Sequence, residues 1–307
     1  MKILKNLINI VLDNLNILII YRFGKAVGDQ LCLTAVTEII KRNSKKKIVL
    51  FTSHPEIFYH NTDFYKIYSL TKNIKSKILL KFFKLLSCES LFEYGSPLKH
   101  INGKYFLQQI DKKEHLAIAH LANFSFKKDN NFNLSCKINF TDNELEYYKN
   151  KFLLPKNFAV IQSETKKTFT NNKNWNINNF QNIVDSMSNI NWCQIGFNEK
   201  KLNNTIDFTK NTNLREFSYI ISKADFILCL ESLYNHVASA FEKKVFMITS
   251  GFIPVDHVHY KNTIPILCKE KLECSPCYLL SECPIDNKPC TENISSSEVI
   301  KVIKENT

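Results

Sequence analysis

Short runs of apolar residues alternate along the chain with stretches in which apolar residues recur every three or four positions. Short runs rich in β-branched residues are typical of buried strands, and the wider spacing is typical of amphipathic helices. This alternation predicts an α/β protein that has parallel sheets with helices on both faces. The predicted strands are 17–20, 47–53, 66–70, 158–162, 192–195, 225–230 and 244–250. The predicted helices are 2–15, 30–41, 75–86, 115–124, 141–152, 180–187, 214–223 and 232–241.

The chain is long enough for two domains, since 307 residues allow about 150 for each. Its composition becomes polar over 125–140, as expected near a domain boundary. Thr141, followed three residues later by Glu144, predicts a capping box at a helix start. We expect an N-terminal Rossmann-like domain over 1–153, a C-terminal one over 154–290 and a final helix over 291–307.

The stretch 16–41 combines a strand, a turn and a helix. The apolar run Ile17–Ile20 is followed by Gly24, Gly28 and Asp29, and then by a helical pattern. Ligands of open parallel sheets bind at the carboxyl ends of strands, which is where Asp29 lies. Asp29 is a candidate general base, but aspartate is also among the best helix N-caps, and the pattern alone allows both.

The charge of the chain is strongly basic, with a net charge of +12 and 41 lysines and arginines. Only three of these are arginines, the residues that usually read bases, and no nucleic-acid-binding motif occurs. We therefore expect no nucleic-acid partner. The ten cysteines are too sparse for a disulfide framework, and the sequence predicts neither a signal peptide nor a transmembrane helix. The expected location is the cytoplasm, with reduced thiols.

Two predicted helices, 2–15 and 75–86, are amphipathic and carry lysines. Such helices can lie on a membrane surface with acidic headgroups. They can equally pack against their own domain. Packing is the expectation for both.

Several short motifs follow one another in a set order from residue 16 onward. They are Arg22, Gly28-Asp29 and Thr34, then Lys173-Asn174-Trp175, Leu214 with Glu216, Glu231 to His236, Gly251 with Pro254, and a cysteine-containing tail from Cys274 to Ile303. In this order and spacing the chain resembles glycosyltransferase family 9, the lipopolysaccharide heptosyltransferases. Three positions differ from the family pattern, since Ala35 replaces a proline, Glu231 an aspartate and Leu233 a glycine.

The resemblance implies a GT-B fold, in which two Rossmann-like domains face a central cleft, and an inverting transfer of a sugar from a nucleotide-diphosphate donor. ADP-heptose is the family's usual donor, and the acceptor is a lipopolysaccharide core or a related bacterial surface glycan. The N-terminal domain would be the acceptor side and the C-terminal domain the nucleotide-sugar side. The acceptor would be an anionic glycolipid, with peripheral contact at the inner face of the inner membrane. Two alternatives stay open: a protein-glycosylating heptosyltransferase and a non-catalytic sugar-nucleotide-binding relative.

The resemblance also implies roles for single residues. Asp29 would be the catalytic base. The donor-binding residues would be Lys173, Glu216, Glu231, Ser232, Leu233, Tyr234, His236 and Gly251. Ser163 is a further candidate donor-binding residue, because it lies at the carboxyl end of the predicted strand 158–162. The helix predicted to start at Ser232 would offer backbone N–H groups to the diphosphate. From the residues alone, Lys173 can be a solvated lysine, Glu216 an exposed helical glutamate and His236 a packed side chain.

Four cysteines, Cys274, Cys277, Cys283 and Cys290, lie within 17 residues. A C-x2-C pair with two further thiols suits a tetrahedral Zn or Fe site. Relatives often carry cysteines here, and a protein-modifying branch of the family binds iron through such a group. A metal at this site would be structural, since the inverting reaction requires no cofactor, and Cys268 is a possible fifth member. The alternative is four reduced thiols without a metal.

Overall fold

A computed structural model describes residues 2–22, 24, 26–95, 98–101, 104–107, 114–126, 133–165, 170–196 and 200–307. The chain forms two compact units: Met1–Pro97 with Leu116–Phe140, and Leu98–His115 with Thr141–Thr307. Part of the polar segment that we expected near a boundary, 127–132, lies outside the described residues. No helix in the described ranges is long and apolar enough to cross a membrane.

The first unit contains a four-stranded sheet in the order β3-β2-β1-β4, and every strand pair is parallel. Its elements in chain order are α1 (Lys2–Asn14), β1 (Ile17–Arg22), α2 (Val27–Ala35), α3 (Thr37–Ser44), β2 (Lys47–Thr52), β3 (Phe64–Ser69), α4 (Ile74–Leu85) and β4 (Leu91–Glu93). After an antiparallel hairpin of β5 (Leu98–Ile101) and β6 (Lys104–Leu107), which belongs to the second unit, comes the short helix α5 (Leu116–Ala119).

The predicted helix 30–41 is two helices, because the backbone leaves the helical conformation at Val36. Thr34 Oγ1 donates to Leu31 O over 2.6 Å and also accepts the backbone N–H of Lys137 over 2.8 Å. Thr37 Oγ1 in turn donates to Thr34 O. Hydroxyls that bond backward to helical carbonyls bend helices, so the expectation of one continuous helix is wrong here.

One face of the first sheet is covered by α1 and α4. Leu12 of α1 and Leu80 of α4 pack in one buried cluster with sheet residues such as Tyr21 and Phe51. Helix α1 thus packs on its own domain, as expected, but its broader apolar side takes no part in this contact, because Ile3 is 79% exposed and its apolar neighbours are exposed with it. Only a narrow strip of α1 faces the sheet.

The second unit contains a six-stranded sheet in the order β12-β11-β10-β7-β8-β9, again with every pair parallel. Its further elements are α6 (Asp142–Lys151), β7 (Ala159–Ile161), α7 (Ile177–Ser186), β8 (Trp192–Gln194), β9 (Ile206–Asp207), α8 (Leu214–Lys223), β10 (Phe226–Leu230), α9 (Leu233–Ser239), β11 (Lys244–Ile248), β12 (Thr263–Ile266), α10 (Pro289–Glu292) and α11 (Ser296–Asn306). The chain runs outward from β7 to β9 and then returns to β10 on the other side of β7. The strand order therefore reverses between β7 and β10, and this is the doubly wound arrangement of nucleotide-binding sheets.

The helix starts of the second unit are set by side chains close in sequence. The capping box of Thr141 and Glu144 is confirmed, and Asn213 forms an equivalent box with Glu216 at the start of α8. Glu144 also receives two hydrogen bonds from the Arg215 guanidinium, at 2.7 and 2.8 Å. This paired contact of planar groups fixes α6 against α8 within the second unit.

Candidate functional site

A hydrogen bond joins the two strand ends at the reversal point of the second sheet. Gln162 follows β7 and Ser232 follows β10, and Ser232 Oγ donates to Gln162 Oε1 over 2.5 Å. The same Gln162 oxygen accepts the backbone N–H of Leu230 over 3.3 Å. Ligands of open α/β sheets bind outside the carboxyl ends of strands at such a point. The structure thus brings residues after β7 and after β10 to one candidate ligand site.

Glu231 is the buried acid at this point. It is 4% exposed, and its Oε2 accepts a hydrogen bond from Ser250 Oγ over 3.0 Å. Its Oε1 is buried and has no hydrogen-bond partner in the described part of the chain. Burial raises the pKa of Glu231 to about 7, and the charge of Lys173 opposes part of this rise. A carboxyl group that is half protonated near neutral pH can both donate to and accept from a ligand oxygen.

The Lys-x-Trp motif divides between the site and the core. Trp175 is buried, and its indole N–H donates to Ile294 O over 3.0 Å. Lys173, two residues earlier, has its ammonium 4.8 Å from the centroid of the Phe252 ring and acts on the charge of Glu231. The tryptophan therefore anchors the loop that presents the lysine, and the charge of this lysine opposes part of the rise in the pKa of Glu231.

The segment after Ser232 is mostly packed. Ser232 caps α9, a helix of seven residues, by accepting the Tyr234 N–H. The Tyr234 hydroxyl donates to Ile195 O over 2.5 Å. Leu233 is half-buried at the first helical position. The ring of His236 is buried with Nδ1 2.6 Å from the Tyr260 hydroxyl. The donor contacts predicted for Leu233, Tyr234 and His236 remain predictions.

Gly196 permits the position of Tyr234. A Cβ at Gly196 would lie 2.5 Å from the Tyr234 oxygen, and φ at this residue is +90°. Both the close contact and the backbone angle favour glycine. Sequence reasoning placed Gly196 only at the end of a strand, because the contact joins residues that are distant in sequence.

Two further predicted residues are buried in polar contacts. Ser163 Oγ accepts a hydrogen bond from Gln194 Nε2 over 3.0 Å. Glu216 is buried, contrary to the alternative of an exposed glutamate, and its two oxygens accept from Lys151 Nζ over 2.5 Å and from the Asn213 N–H over 3.0 Å. The donor contact predicted for Glu216 remains a prediction.

Gly251 lies beneath the cysteine-containing tail. A Cβ at Gly251 would lie 3.1 Å from both Cys290 Cβ and Ser275 Oγ. The Cys277 N–H donates to Gly251 O over 2.8 Å. The tail is also tied to the lysine loop, since Asn172 Nδ2 donates to the backbone oxygens of two tail residues at 2.7 and 2.8 Å. The tail thus supports two of the segments that form the site.

The four tail cysteines carry free thiols that influence one another electrostatically. Burial raises the pKa of Cys277 and of Cys290, and the charges of neighbouring tail thiols add to both shifts. Cys277 and Cys290 both contact Gly251, so residues at two ends of the tail converge. In the described part of the chain, however, no three of these thiols lie within 4.8 Å of one another, so a Zn or Fe site in the tail stays a prediction.

A polar cavity of about 660 Å³ lies in the second unit beside Ser163 and Lys173. Its lining residues are Glu164, Asn174, Trp175, Asn176, Ile177, Lys200, Asn287, Lys288 and Glu292. The volume is within the range typical of small-molecule sites. Sequence reasoning missed the cavity, because its walls come from four separate segments.

Asp29 lies in the first unit, at the carboxyl side of β1. It is the third residue of α2, and the N-cap position belongs to Ala26, so the alternative that Asp29 caps the helix is wrong. Arg22, the last residue of β1, donates from Nη2 to Asp29 Oδ2 over 2.9 Å. No partner among the described residues bonds to Oδ1, and the side chain is 30% exposed. Asp29 is therefore a positioned carboxylate that another molecule can reach.

Comparison with known proteins identifies the family of the chain. The family model of glycosyltransferase family 9 (heptosyltransferase) matches residues 64–284. The chain belongs to this family. The matched range contains every site residue predicted in the second unit except Cys290, whereas Asp29 precedes it. No curated protein matches the chain in sequence.

Solved structures agree with this membership. The glycosyltransferase family 9 protein of Veillonella parvula is 12% identical, with a TM-score of 0.67 over 94% of this chain and 96% of its own. TibC of enterotoxigenic E. coli, described as a dodecameric iron-containing heptosyltransferase and solved with ADP-D-β-D-heptose, is 14% identical, with a TM-score of 0.68 over 94% of this chain and 75% of its own. E. coli ADP-heptose lipopolysaccharide heptosyltransferase II is 12% identical, with a TM-score of 0.63 over 94% of this chain and 99% of its own.

At these identities the structures show the fold. The prediction of an α/β protein of the GT-B type with two parallel sheets is confirmed, and so is the resemblance to family 9. As a family member the protein is a glycosyltransferase, which confirms the predicted enzyme class.

Proposed function

We propose that the protein transfers a sugar, heptose or a close analogue, from a nucleoside-diphosphate donor, with inversion at the anomeric carbon. The observation that carries the proposal is the reversal point of the second sheet. There the Ser232–Gln162 hydrogen bond joins two strand ends beside the unpartnered oxygen of Glu231. TibC, which superposes on this chain with a TM-score of 0.68, was solved with ADP-D-β-D-heptose, and this supports the choice of donor.

The donor occupies this site with its diphosphate near Lys173. An ammonium group offsets the negative charge that grows on the leaving diphosphate. Glu231 and Ser232 offer an acid group and a hydroxyl to donor oxygens, and Ser163 lies at the neighbouring strand end. The cavity beside Lys173 supplies space for further parts of the nucleotide.

Asp29 is the general base of the proposed reaction. The acceptor hydroxyl attacks the anomeric carbon and its proton passes to Asp29, while the bond between that carbon and the diphosphate oxygen breaks and the nucleoside diphosphate leaves. Arg22 holds Oδ2 of Asp29, so Oδ1 is the oxygen that takes the proton. The atoms balance without a metal or a redox cofactor.

The tail cysteines are proposed to hold a structural Zn or Fe ion. Cys274, Cys277, Cys283 and Cys290 would be its ligands. The ion would stabilise the tail that packs on Gly251 and bonds to the lysine loop. TibC is described as iron-containing, which supports this assignment.

The proposed acceptor is an anionic glycolipid, a lipopolysaccharide core or a related bacterial surface glycan. The basic composition of the chain supports an acceptor that carries phosphates and carboxylates. The proposed location is the cytoplasm, at the inner face of the inner membrane, where such an acceptor is available to the enzyme.

The test combines donor binding with transfer. ADP-heptose is expected to raise the melting temperature, whereas a panel of other nucleotide sugars serves as comparison. Asp29→Ala is expected to lower transfer about 10²- to 10⁴-fold, the usual contribution of a general base, and to leave the ADP-heptose shift intact. Glu38→Ala, which removes an exposed acid of the same unit, is the matched control. Unchanged transfer in Asp29→Ala would refute the mechanism, and the absence of a shift with every nucleotide sugar would refute the donor site.

A further inference from the structure

The side of α1 that faces away from the sheet is apolar. The helix contacts the core through Leu12 and, in part, Ile8. Its remaining apolar residues are all exposed, and they are Ile3, Leu4, Leu7, Ile10 and Val11. An amphipathic helix of a globular domain ordinarily buries its apolar stripe. In α1 the broader apolar side is instead open to the surroundings.

The neighbouring helix α4 has the same unusual arrangement. It packs on the sheet through Leu80 and, in part, Leu79 and Phe83. On the opposite side it exposes a stripe at a spacing of four, four and three residues, formed by Ile74, Ile78, Phe82 and Leu85. Ile74 is 74% exposed and Leu85 64% exposed. These large apolar side chains contribute nothing to the core, so the stability of the fold does not explain why apolar residues occupy these positions.

Both helices cover the same face of the first sheet, since their inward residues join one buried cluster. Asn9 of α1 also accepts the backbone N–H of Glu89, which follows α4, over 3.2 Å. We call the outward apolar residues of the two helices, with the lysines beside them, the α1–α4 surface. Exposed apolar patches of this kind mark interaction sites.

The α1–α4 surface is basic as well as apolar. Five lysines of the two helices belong to this surface, and they are Lys2, Lys5, Lys75, Lys77 and Lys81. The sixth, Lys84, has its ammonium 3.9 Å from the centroid of the Tyr21 ring. The one acid of the two helices is Asp13, which is paired with Lys46 over 2.6 Å. The residues of the first unit include 18 lysines and arginines against 8 aspartates and glutamates. Most of the excess positive charge of the chain thus belongs to the unit that carries this surface.

We infer that the α1–α4 surface binds an anionic lipid bilayer, with the apolar stripes in the interface and the lysines at the headgroups. Apolar stripes flanked by lysines are the arrangement with which interfacial helices bind acidic membranes. Lysine side chains extend their ammonium groups to the headgroups while their stems stay apolar. A second copy of the chain would place one basic surface against another, so like-charge repulsion disfavours that occupant. The inference rests on the proposed function in one respect only: if the acceptor is a glycolipid, binding to the membrane brings the enzyme to its acceptor.

The full chain is to be tested by co-sedimentation with vesicles of phosphatidylcholine, with and without phosphatidylglycerol, and without any nucleotide sugar. Binding is expected to the anionic vesicles and to weaken with salt. The double variant Ile78→Ser with Leu85→Ser is expected to weaken binding roughly tenfold or more, through lost apolar burial. The double variant Lys77→Glu with Lys81→Glu is expected to weaken it by a similar factor, roughly tenfold, through lost attraction to acidic lipid.

The matched control lies in the second unit, where Leu153 is 89% exposed and Lys156 is exposed beside it. The variant Leu153→Ser with Lys156→Glu removes one exposed apolar side chain and one exposed lysine, and it is expected to bind vesicles like the parent. Equal binding of all variants, or no binding to anionic vesicles, would overturn the inference. So would a parent dimer that the Ile78→Ser, Leu85→Ser variant converts to a monomer. If the parent chain does not bind anionic vesicles but keeps its ADP-heptose shift, only this inference is refuted. If the parent chain binds the vesicles but no nucleotide sugar shifts its melting temperature, only the proposed donor site is refuted.

Discussion

Replacing Glu231 with glutamine should change how the stability of the protein depends on pH. Burial raises the pKa of the carboxyl from an ordinary value of 4.5 to about 7 in the folded chain. Because the pKa of Glu231 is higher in the folded chain than in the unfolded chain, the folded chain binds the proton of this carboxyl more tightly. The resulting stability is fully present below about pH 4.5 and is lost as the pH rises through about 7.

The size of this effect follows from the shift. Each pKa unit corresponds to about 1.4 kcal/mol, so ionisation of Glu231 lowers the free energy of unfolding by about 3 kcal/mol above pH 7. Glutamine keeps the shape of the side chain and carries no titrating group. Glu231→Gln should therefore lose less stability than the parent between pH 5 and pH 8, by roughly 2 to 3 kcal/mol.

Urea unfolding of the parent and the variant at pH values from 5 to 8 measures this difference. Asp225→Asn is the matched control, because Asp225 is an exposed acid at the other end of β10. Its pH profile should match that of the parent. If Glu231→Gln shows the same pH dependence as the parent, the carboxyl does not titrate in a buried site, and the reasoning about its burial and proton would be wrong.

Two further predictions concern the surroundings of the site. Gly196→Ala should destabilise the protein by about 1 to 3 kcal/mol in thermal unfolding, because of its positive φ and the contact with the Tyr234 hydroxyl. Adding Tyr234→Phe should recover part of that loss, and no recovery would argue against the contact. Protein purified without chelators should contain Zn or Fe by elemental analysis. Cys277→Ser should lower the metal content, whereas Cys88→Ala in the first unit should not; equal metal in both variants would exclude the tail as the site.

Local sequence was sufficient for much of the fold. The helix predicted over 214–223 is α8, Leu214–Lys223, and the capping box at Thr141 is present as predicted. Periodicity and capping involve residues a few positions apart, so a sequence contains them directly. The two-residue strand β9 was not predicted, because a strand so short has no periodicity and exists only through its pairing with β8.

The candidate site was predicted in part. The motif order located Lys173, Glu231 and Ser232, and the structure places them near one reversal point of the sheet. The burial of Glu231, its unpartnered oxygen and the role of Trp175 as an anchor were not predictable. Each depends on contacts with segments that are distant in sequence, such as Ser250 and Ile294.

The sequence by itself determined the alternation of strands and helices, the helix starts and the family motifs, because all of these are encoded by neighbouring residues. Only the tertiary structure decided which side of an amphipathic helix is buried and which acid loses its contact with water. Both helices of the α1–α4 surface have apolar residues in abundance, and the sheet covers one strip of each. Glu231 likewise acquires a raised pKa only because β10, β11 and the loops that follow them enclose its carboxyl group. Burial is a property of the assembled chain, and the chemistry of this protein depends on it.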